Sequence, residues 1–227
     1  MNTERGDQLL TELITNPIRF SEQGTAYTLL QEYFKGYDKE TLRPLLQSKD
    51  PITISAATFI VSELGRDAAS LIEDLIPLLN NDNLRVRYEV LESIFICSSD
   101  INAEKFVYVL NAMNDANDVI RLLAMDLTSK ANEQQIKAAI RFFGQKEDGD
   151  SKIHFQCLPL MLKGENQNPE GLMKMINDKL PLIRKYGAIL SKLVFAIFPE
   201  LIKDATLNAD TDIQNFAIEF LNETQAS

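Results

Sequence analysis

The chain has 227 residues, of which 45% are hydrophobic and 25% charged, with two cysteines, one histidine and no tryptophan. Its formal net charge is −10 and its pI is near 4.7, which disfavours nucleic-acid backbones, since phosphates are held by clustered Lys and Arg. The apolar content supports a core that needs neither disulfide nor metal, and Cys97 and Cys157 belong to no CxxC or Cys/His cluster.

The start of the chain, MNTERGDQLLTELITNP, carries acidic residues and no uninterrupted apolar run, so it does not read as a secretory signal. No stretch approaches the roughly 18 continuous apolar residues of a membrane span. The expectation is a cytoplasmic protein without membrane or nucleic-acid contacts. Residues 1–20 are expected to form a polar-faced capping segment ahead of the first full repeat.

Beyond that segment the chain repeats itself. Residues 42–60, LRPLLQSKDPITISAATFI, and residues 75–94, LIPLLNNDNLRVRYEVLESI, share one plan. A leucine-rich segment leads through Pro-Leu-Leu and a polar break with Asp into an apolar-periodic segment. An Ile or Val followed by a more polar residue recurs as Ile54-Ser55, Val86-Arg87, Ile120-Arg121, Ile153-His154, Ile183-Arg184 and Ile213-Gln214, spaced by 32, 34, 33, 30 and 30 residues. Each pair opens a segment with a period near 3.6, such as Val86, Val90 and Ile94, or Ile183, Gly187, Leu190 and Val194. Such a segment is a helix with one buried face, here termed an A helix.

Between successive anchors lies a second helical segment, the B helix. Its starts carry Asp38, Asp67, Asn102 and Asn132, which can accept first-turn N–H groups, and Pro169 and Pro199, which suit the first helical position. No strand alternation is present. The polar stretch 146–151, KEDGDS, reads as a longer surface loop within a single domain of residues 1–227, because the anchor spacing of 33 persists across it.

A helix pair of about 32 residues cannot bury its apolar face alone, so such units stack. Pro77-Leu78-Leu79, then Asp82, then Val86-Arg87, resembles the HEAT-repeat signature. Pro44-Leu45-Leu46, Asp50 and Ile54 are similar, with Ser55 where the family often has Arg. Ile120-Arg121 and Ile183-Arg184 keep the pair without Pro-Leu-Leu. The resemblance spans roughly residues 22–222 and implies an all-α fold, a right-handed α-α superhelix (HEAT-like solenoid) of about six helix pairs. It further implies that Arg87, Arg121 and Arg184 bond the inter-helix loops, often through an Asp such as Asp82 or Asp115, and so fix the stacking.

No catalytic constellation emerges. His154 falls at the position of those arginines and reads as structural; GxGxxG, P-loop and GxSxG motifs are absent. The repeated His-Glu pairs of HEAT-type hydroxylases are missing, as is the tryptophan-bearing basic groove of HEAT-like alkylpurine DNA glycosylases. Cys97 and Cys157 read as small core residues. The expectation is a non-enzyme with no cofactor and no metal.

Aligning the B helices on Leu42, Leu75, Leu110, Ile140, Leu172 and Ile202 places Glu40, Glu73, Tyr108, Ala138, Glu170 and Glu200 two residues earlier. One residue later come Arg43, Ile76, Asn111, Arg141, Met173 and Lys203. Glu40, Glu73, Tyr108, Asn111, Arg141, Glu170 and Glu200 are therefore the candidate partner-binding residues. Stacked helices would gather the glutamates into an acidic concave ridge that steers a basic protein. Tyr108, with Tyr88 and Phe106 nearby, would supply an aromatic anchor. The concrete form of this expectation is an immunity-type protein that neutralises a basic toxin, since some bacterial immunity proteins are HEAT-like. The alternatives are an adaptor or assembly factor without a toxin, and a HEAT-like DNA glycosylase or lyase.

The inside/outside assignment has a direct check by chemical denaturation. Leu78→Ala should cost about 2–5 kcal/mol through lost burial and a cavity, and Glu73→Ala less than about 0.5 kcal/mol. Equal losses would reverse the assignment.

Overall fold

A computed structural model of the protein describes residues 4–164 and 168–226. Helix makes up 78% of it, with no strand among the described residues. Packing divides the chain between Cys97 and Ser98 into two compact units.

The first unit opens with α1 (Glu4–Thr15), α2 (Pro17–Glu22) and α3 (Thr25–Phe34). Leu13, Phe20, Leu29 and Leu30 are its first buried cluster. The expected capping segment is thus two helices, broken where Asn16 caps α2 and Pro17 takes its first turn; residues 1–3 of that segment lie outside the described residues. The first B segment is a 3₁₀ turn, Lys39–Leu42, capped by Asp38, followed by α4 (Arg43–Leu46). Next come the A helix α5 (Pro51–Leu64), a B segment of 3₁₀ turn Gly65–Leu71, α6 (Ile72–Leu75) and 3₁₀ turn Ile76–Asn80, then α7 (Leu84–Cys97). The helices α3, α5 and α7 pack side by side in that order.

These two B segments are broken because Pro44 and Pro77 sit inside them. Proline removes an N–H and clashes with the preceding turn, so the chain resorts to short 3₁₀ pieces. Gly65, at φ 56°, turns α5 directly into its B segment. Asp67 therefore lies within the first turn instead of preceding it. Leu78 is buried and Glu73 exposed, as the alignment requires.

The second unit begins with a B segment of 3₁₀ turn Ala103–Lys105, α8 (Phe106–Asn111) and 3₁₀ turn Ala112–Asn114; it is broken without a proline, and nothing in its packing explains the break. There follow α9 (Asp118–Ser129), α10 (Glu133–Phe143), α11 (Gly149–Met161), α12 (Pro169–Ile176), α13 (Pro181–Leu193), α14 (Pro199–Ala205) and α15 (Thr211–Ala226). The B helices α10, α12 and α14 are continuous, since their only prolines lie at the first position. The surface loop expected at 146–151 is shorter than that. Asp148 accepts from Ser151 N at 2.9 Å and caps α11, so residues 149–151 are helical.

Nearest-neighbour stacking accounts for α10 on α11, α12 on α13 and α13 on α15. The helix α9 reaches further and packs against both α13 and α15. Charge holds these three helices together. Asp212, in the first turn of α15, takes Arg121 Nε and Nη2 of α9 at 2.7 and 2.8 Å, and Lys185 Nζ of α13 lies 3.2 Å away. Lys185, 3% exposed, also bonds the Met113 carbonyl. Burial alone would raise the Asp212 pKa, but hydrogen bonds from Arg121 and Lys185 overcome this and hold it below the ordinary carboxylate range. Further along, Lys192 of α13 pairs with Asp126 of α9 at 2.7 Å and lies over the Phe216 and Phe220 rings of α15.

The expected arginine contacts are also present. Arg87 Nη1 donates to the Asn81 carbonyl, Arg121 Nη1 to Asp115 and Ala116, and Arg184 Nη1 to Asp178 and Lys179. For Arg121 and Arg184 the carboxylate partner comes from the last loop and α15, Asp212 and Asp210, rather than from the arginine's own loop. Loop carbonyl and distant carboxylate together fix each guanidinium in place.

Asp212→Asn leaves Arg121 and Lys185 without their anion. A buried pair broken from one side costs about 3–5 kcal/mol, and urea unfolding followed by circular dichroism should register that loss.

Candidate protein-binding surface

The B helices turn their polar sides outward at five of the six aligned positions. Leu42, Leu75, Leu110, Leu172 and Ile202 are all buried. Glu40, Glu73, Glu170 and Glu200 are exposed and Tyr108 is half-buried. Their settings differ in ways that matter for binding.

Glu40 is already engaged. It accepts from Arg43 Nη2 at 2.8 Å and from Ser70 Oγ at 2.9 Å, and Arg43 also bonds Asp74 of the next B segment. The Arg43 hydrogen bond, then that of Ser70, lowers the Glu40 pKa. This side chain ties two B segments of the first unit together. Glu73, on α6 of the same unit, is exposed.

Glu170 and Glu200 are different. They lie in the first turns of α12 and α14, B helices that pack against each other. Neither carboxylate has an ion pair or hydrogen bond among the described residues. Helix starts favour negative charge, so the two positions are compatible with their local backbone as well.

The aligned row breaks at α10. Ala138 is buried there, and Ile140, expected in the core, is half-exposed. The core is instead made by Ile136, Ala139 and Phe143, at i, i+3 and i+7. Arg141 is exposed and lines a shallow groove of about 550 Å³ with Lys137, Glu104, Phe142 and the 87%-exposed Ile101. Asn111 is exposed at the end of α8. The expected aromatic set loses Phe106, which is fully buried in the core; Tyr108 in the second unit and Tyr88, on α7 in the first, are each half-buried. Sequence reasoning missed Ile101 and Phe142; the isoleucine inside the polar run SSDIN was the available signal.

Carboxylates outnumber basic side chains in both units, 15 to 9 in Met1–Cys97 and 18 to 14 in Ser98–Ser227. Among the described residues no helix is long and apolar enough to cross a membrane, and no group of three or more His, Cys, Asp or Glu is placed to hold a metal ion.

No family model and no curated protein matches the sequence. Solved structures with similar helix arrangements include an archaeal HEAT-like repeats protein from Thermococcus onnurineus NA1, at 13% identity and TM-score 0.46, with 95% of this chain and 97% of that one covered. A designed armadillo repeat protein in complex with a (KR)4 peptide aligns at 14% identity and TM-score 0.49, covering 95% and 97%. An engineered protein aligns at 15% identity and TM-score 0.42, covering 83% and 97%. Nothing about partner or activity passes from these proteins to this chain. The repeats of this chain resemble HEAT repeats. That description rests on the chain's own paired helices, Pro-Leu-Leu segments and loop-binding arginines.

The two cysteines and the one histidine of these helical repeats are interior. Burial pushes the Cys97 thiol up to about 11 and the Cys157 thiol up to about 12, so both stay protonated near neutrality. His154 is 1% exposed; its Nδ1 lies 2.7 Å from the Tyr186 hydroxyl, and its ring stacks on Phe143 at 4.4 Å. It shares the alignment position of the arginines but faces the core, because α11 turns Ile153 partly outward. Burial lowers its pKa to about 4 from 6.5, an effect that Asp148 only partly opposes. The folded chain then refuses a proton that the unfolded chain accepts, and stability falls as pH drops from about 6.5 to about 4. Within that window the native protein should lose up to about 1.4 kcal/mol per pH unit more than a His154→Phe variant, measured by denaturant unfolding at stepped pH.

Proposed function

We propose that this chain works by holding another protein against the exposed sides of its B helices, without catalysing a reaction. The observation that supports this best is the pair Glu170 and Glu200: exposed, unengaged among the described residues and equivalent in position on neighbouring helices. Net negative charge in each unit extends the same preference over the rest of the surface. A partner with a basic contact face gains in association rate from such a field and loses it as salt rises. In the second unit the half-buried Tyr108 belongs to the same contact set, with Asn111 and Arg141 as further polar contacts; in the first unit the exposed Glu73 offers a carboxylate of its own.

The partner chemistry that fits is a basic protein domain whose own working surface is positive. In concrete terms the chain would act as an immunity-type protein that covers the active site of a basic toxin such as a nuclease. An adaptor that joins a basic protein to an assembly uses the same surface and differs only in the partner's identity. Duplex DNA is a poor ligand for this face, because phosphates would meet carboxylates.

The test uses the partner recovered by affinity copurification with the full chain. The double variant Glu170→Lys with Glu200→Lys should slow association about tenfold at low salt, with the difference shrinking toward about 0.5 M salt. Tyr108→Ala should act on dissociation instead, largely independent of salt. Unchanged association of the double variant at low salt would remove the acidic B-helix face from consideration.

A further inference from the structure

A groove in the first unit has chemistry opposite to that of the B-helix carboxylates. Its volume is about 400 Å³, and it runs between α2, α3 and the starts of α5 and α7. Tyr27, Ile52, Ala56 and Phe59 supply an apolar lining, and Tyr27 is 62% exposed despite its size. Among the described residues, Arg85 is the one charged side chain that lines it.

Arg85 is held in place from behind. Its Nε donates to Glu89 Oε1 at 2.8 Å, and Glu89, itself buried, takes the Thr58 hydroxyl at 2.8 Å through its other oxygen. The backbone at Arg85 is fixed as well, since its N–H donates to the Asn83 side chain at 3.0 Å. The two terminal amino groups of the guanidinium have no partner among the described residues, and the side chain is 68% exposed. A directed, half-used guanidinium at the edge of an apolar groove suits a carboxylate, which it can grip with two parallel hydrogen bonds. The starts of α5 and α7 border the same groove and add partial positive charge.

We infer that this groove docks a short peptide segment in which large apolar side chains flank an aspartate or glutamate. The apolar residues would cover Tyr27, Ile52 and Phe59, and the carboxylate would lie on Arg85. The volume falls in the range of about 300–1,000 Å³ typical of built ligand sites, and an exposed tyrosine beside an arginine is the composition of a contact hot spot. A basic segment, the occupant proposed for the B helices, would bring like charge to Arg85. The groove therefore selects a different occupant, and the inference stands independently of the B-helix proposal.

The test is selection of a phage-displayed random-peptide library on the full chain. The dominant synthetic peptide is then measured by fluorescence anisotropy against variants shown to be folded by circular dichroism. Enriched peptides should pair an acidic residue with large apolar neighbours. Arg85→Gln and Tyr27→Ala should each weaken binding about tenfold, whereas the Glu170→Lys, Glu200→Lys double variant should bind as the native chain does. Tyr27→Ala removes an exposed side chain and so keeps the test valid should Arg85→Gln disturb Glu89. Recovery of no peptide, or of peptides indifferent to both groove variants, overturns the inference. Basic peptides that depend on Glu170 and Glu200 would also overturn it, while favouring the B-helix surface.

Discussion

A pair of short helices has one apolar face that it cannot cover by itself, and the architecture of this protein follows from that constraint. Within each unit the A helices bury such a stripe, as Val86, Val90 and Ile94 do on α7. Each B helix closes the back of that stripe with buried apolar residues, such as Leu75 or Ile202. The polar remainder of the B helix stays outside the core, and only in part, as at Glu40 and Arg43, does it tie neighbouring segments together. Surface for recognition is therefore a by-product of the stacking, and it changes from repeat to repeat without disturbing the core.

The charges separate into two populations with different work. Asp212, Asp210, Asp126 and Glu89 are consumed inside the fold, where each meets one or more cationic groups. Burying such groups is tolerable only because their partners are fixed by a second contact, a loop carbonyl for Arg121 and Arg184 and the Met113 carbonyl for Lys185. The same network draws α9, α13 and α15 into mutual contact, so the second unit is more tightly closed than neighbour-to-neighbour stacking requires. Glu170 and Glu200 belong to the other population. Their charge is unspent, which is why they, and not the net charge as a whole, support a contact with a basic partner.

Two surfaces of opposite preference follow from one repeat geometry. The B helices present carboxylates on short elements, and the starts of the A helices present N–H groups, a cap and, in α7, Arg85. In the proposed readings the carboxylates and the groove would take unlike segments and would differ in salt dependence. Long-range steering belongs to the carboxylates, while the groove depends on burial and a short, directed ion pair.

Legible in the sequence alone were the helical class, the places of the six A helices, the caps at Asp38 and Asn132, and the inward residues of five B helices. Those features are local: periodicity, capping and proline are written within one or two turns of chain. The loop-binding arginines were legible for the same reason, since donor and carbonyl lie within about six residues. The tertiary structure decided what depended on distant partners. In α10 both Ala139 and Ile140 are apolar, and only packing against α11 and α8 selects Ala139 for the core and leaves Arg141 outside. Phe106 and Tyr108 look alike as aromatic neighbours until one of them is buried. Glu40 and Glu170 occupy the same aligned position, yet Ser70 and Arg43 engage the first and no described residue engages the second. Asp212 and Arg121 are separated by 91 positions, a pairing to which no local pattern points, because electrostatic contact follows distance in space rather than distance along the chain.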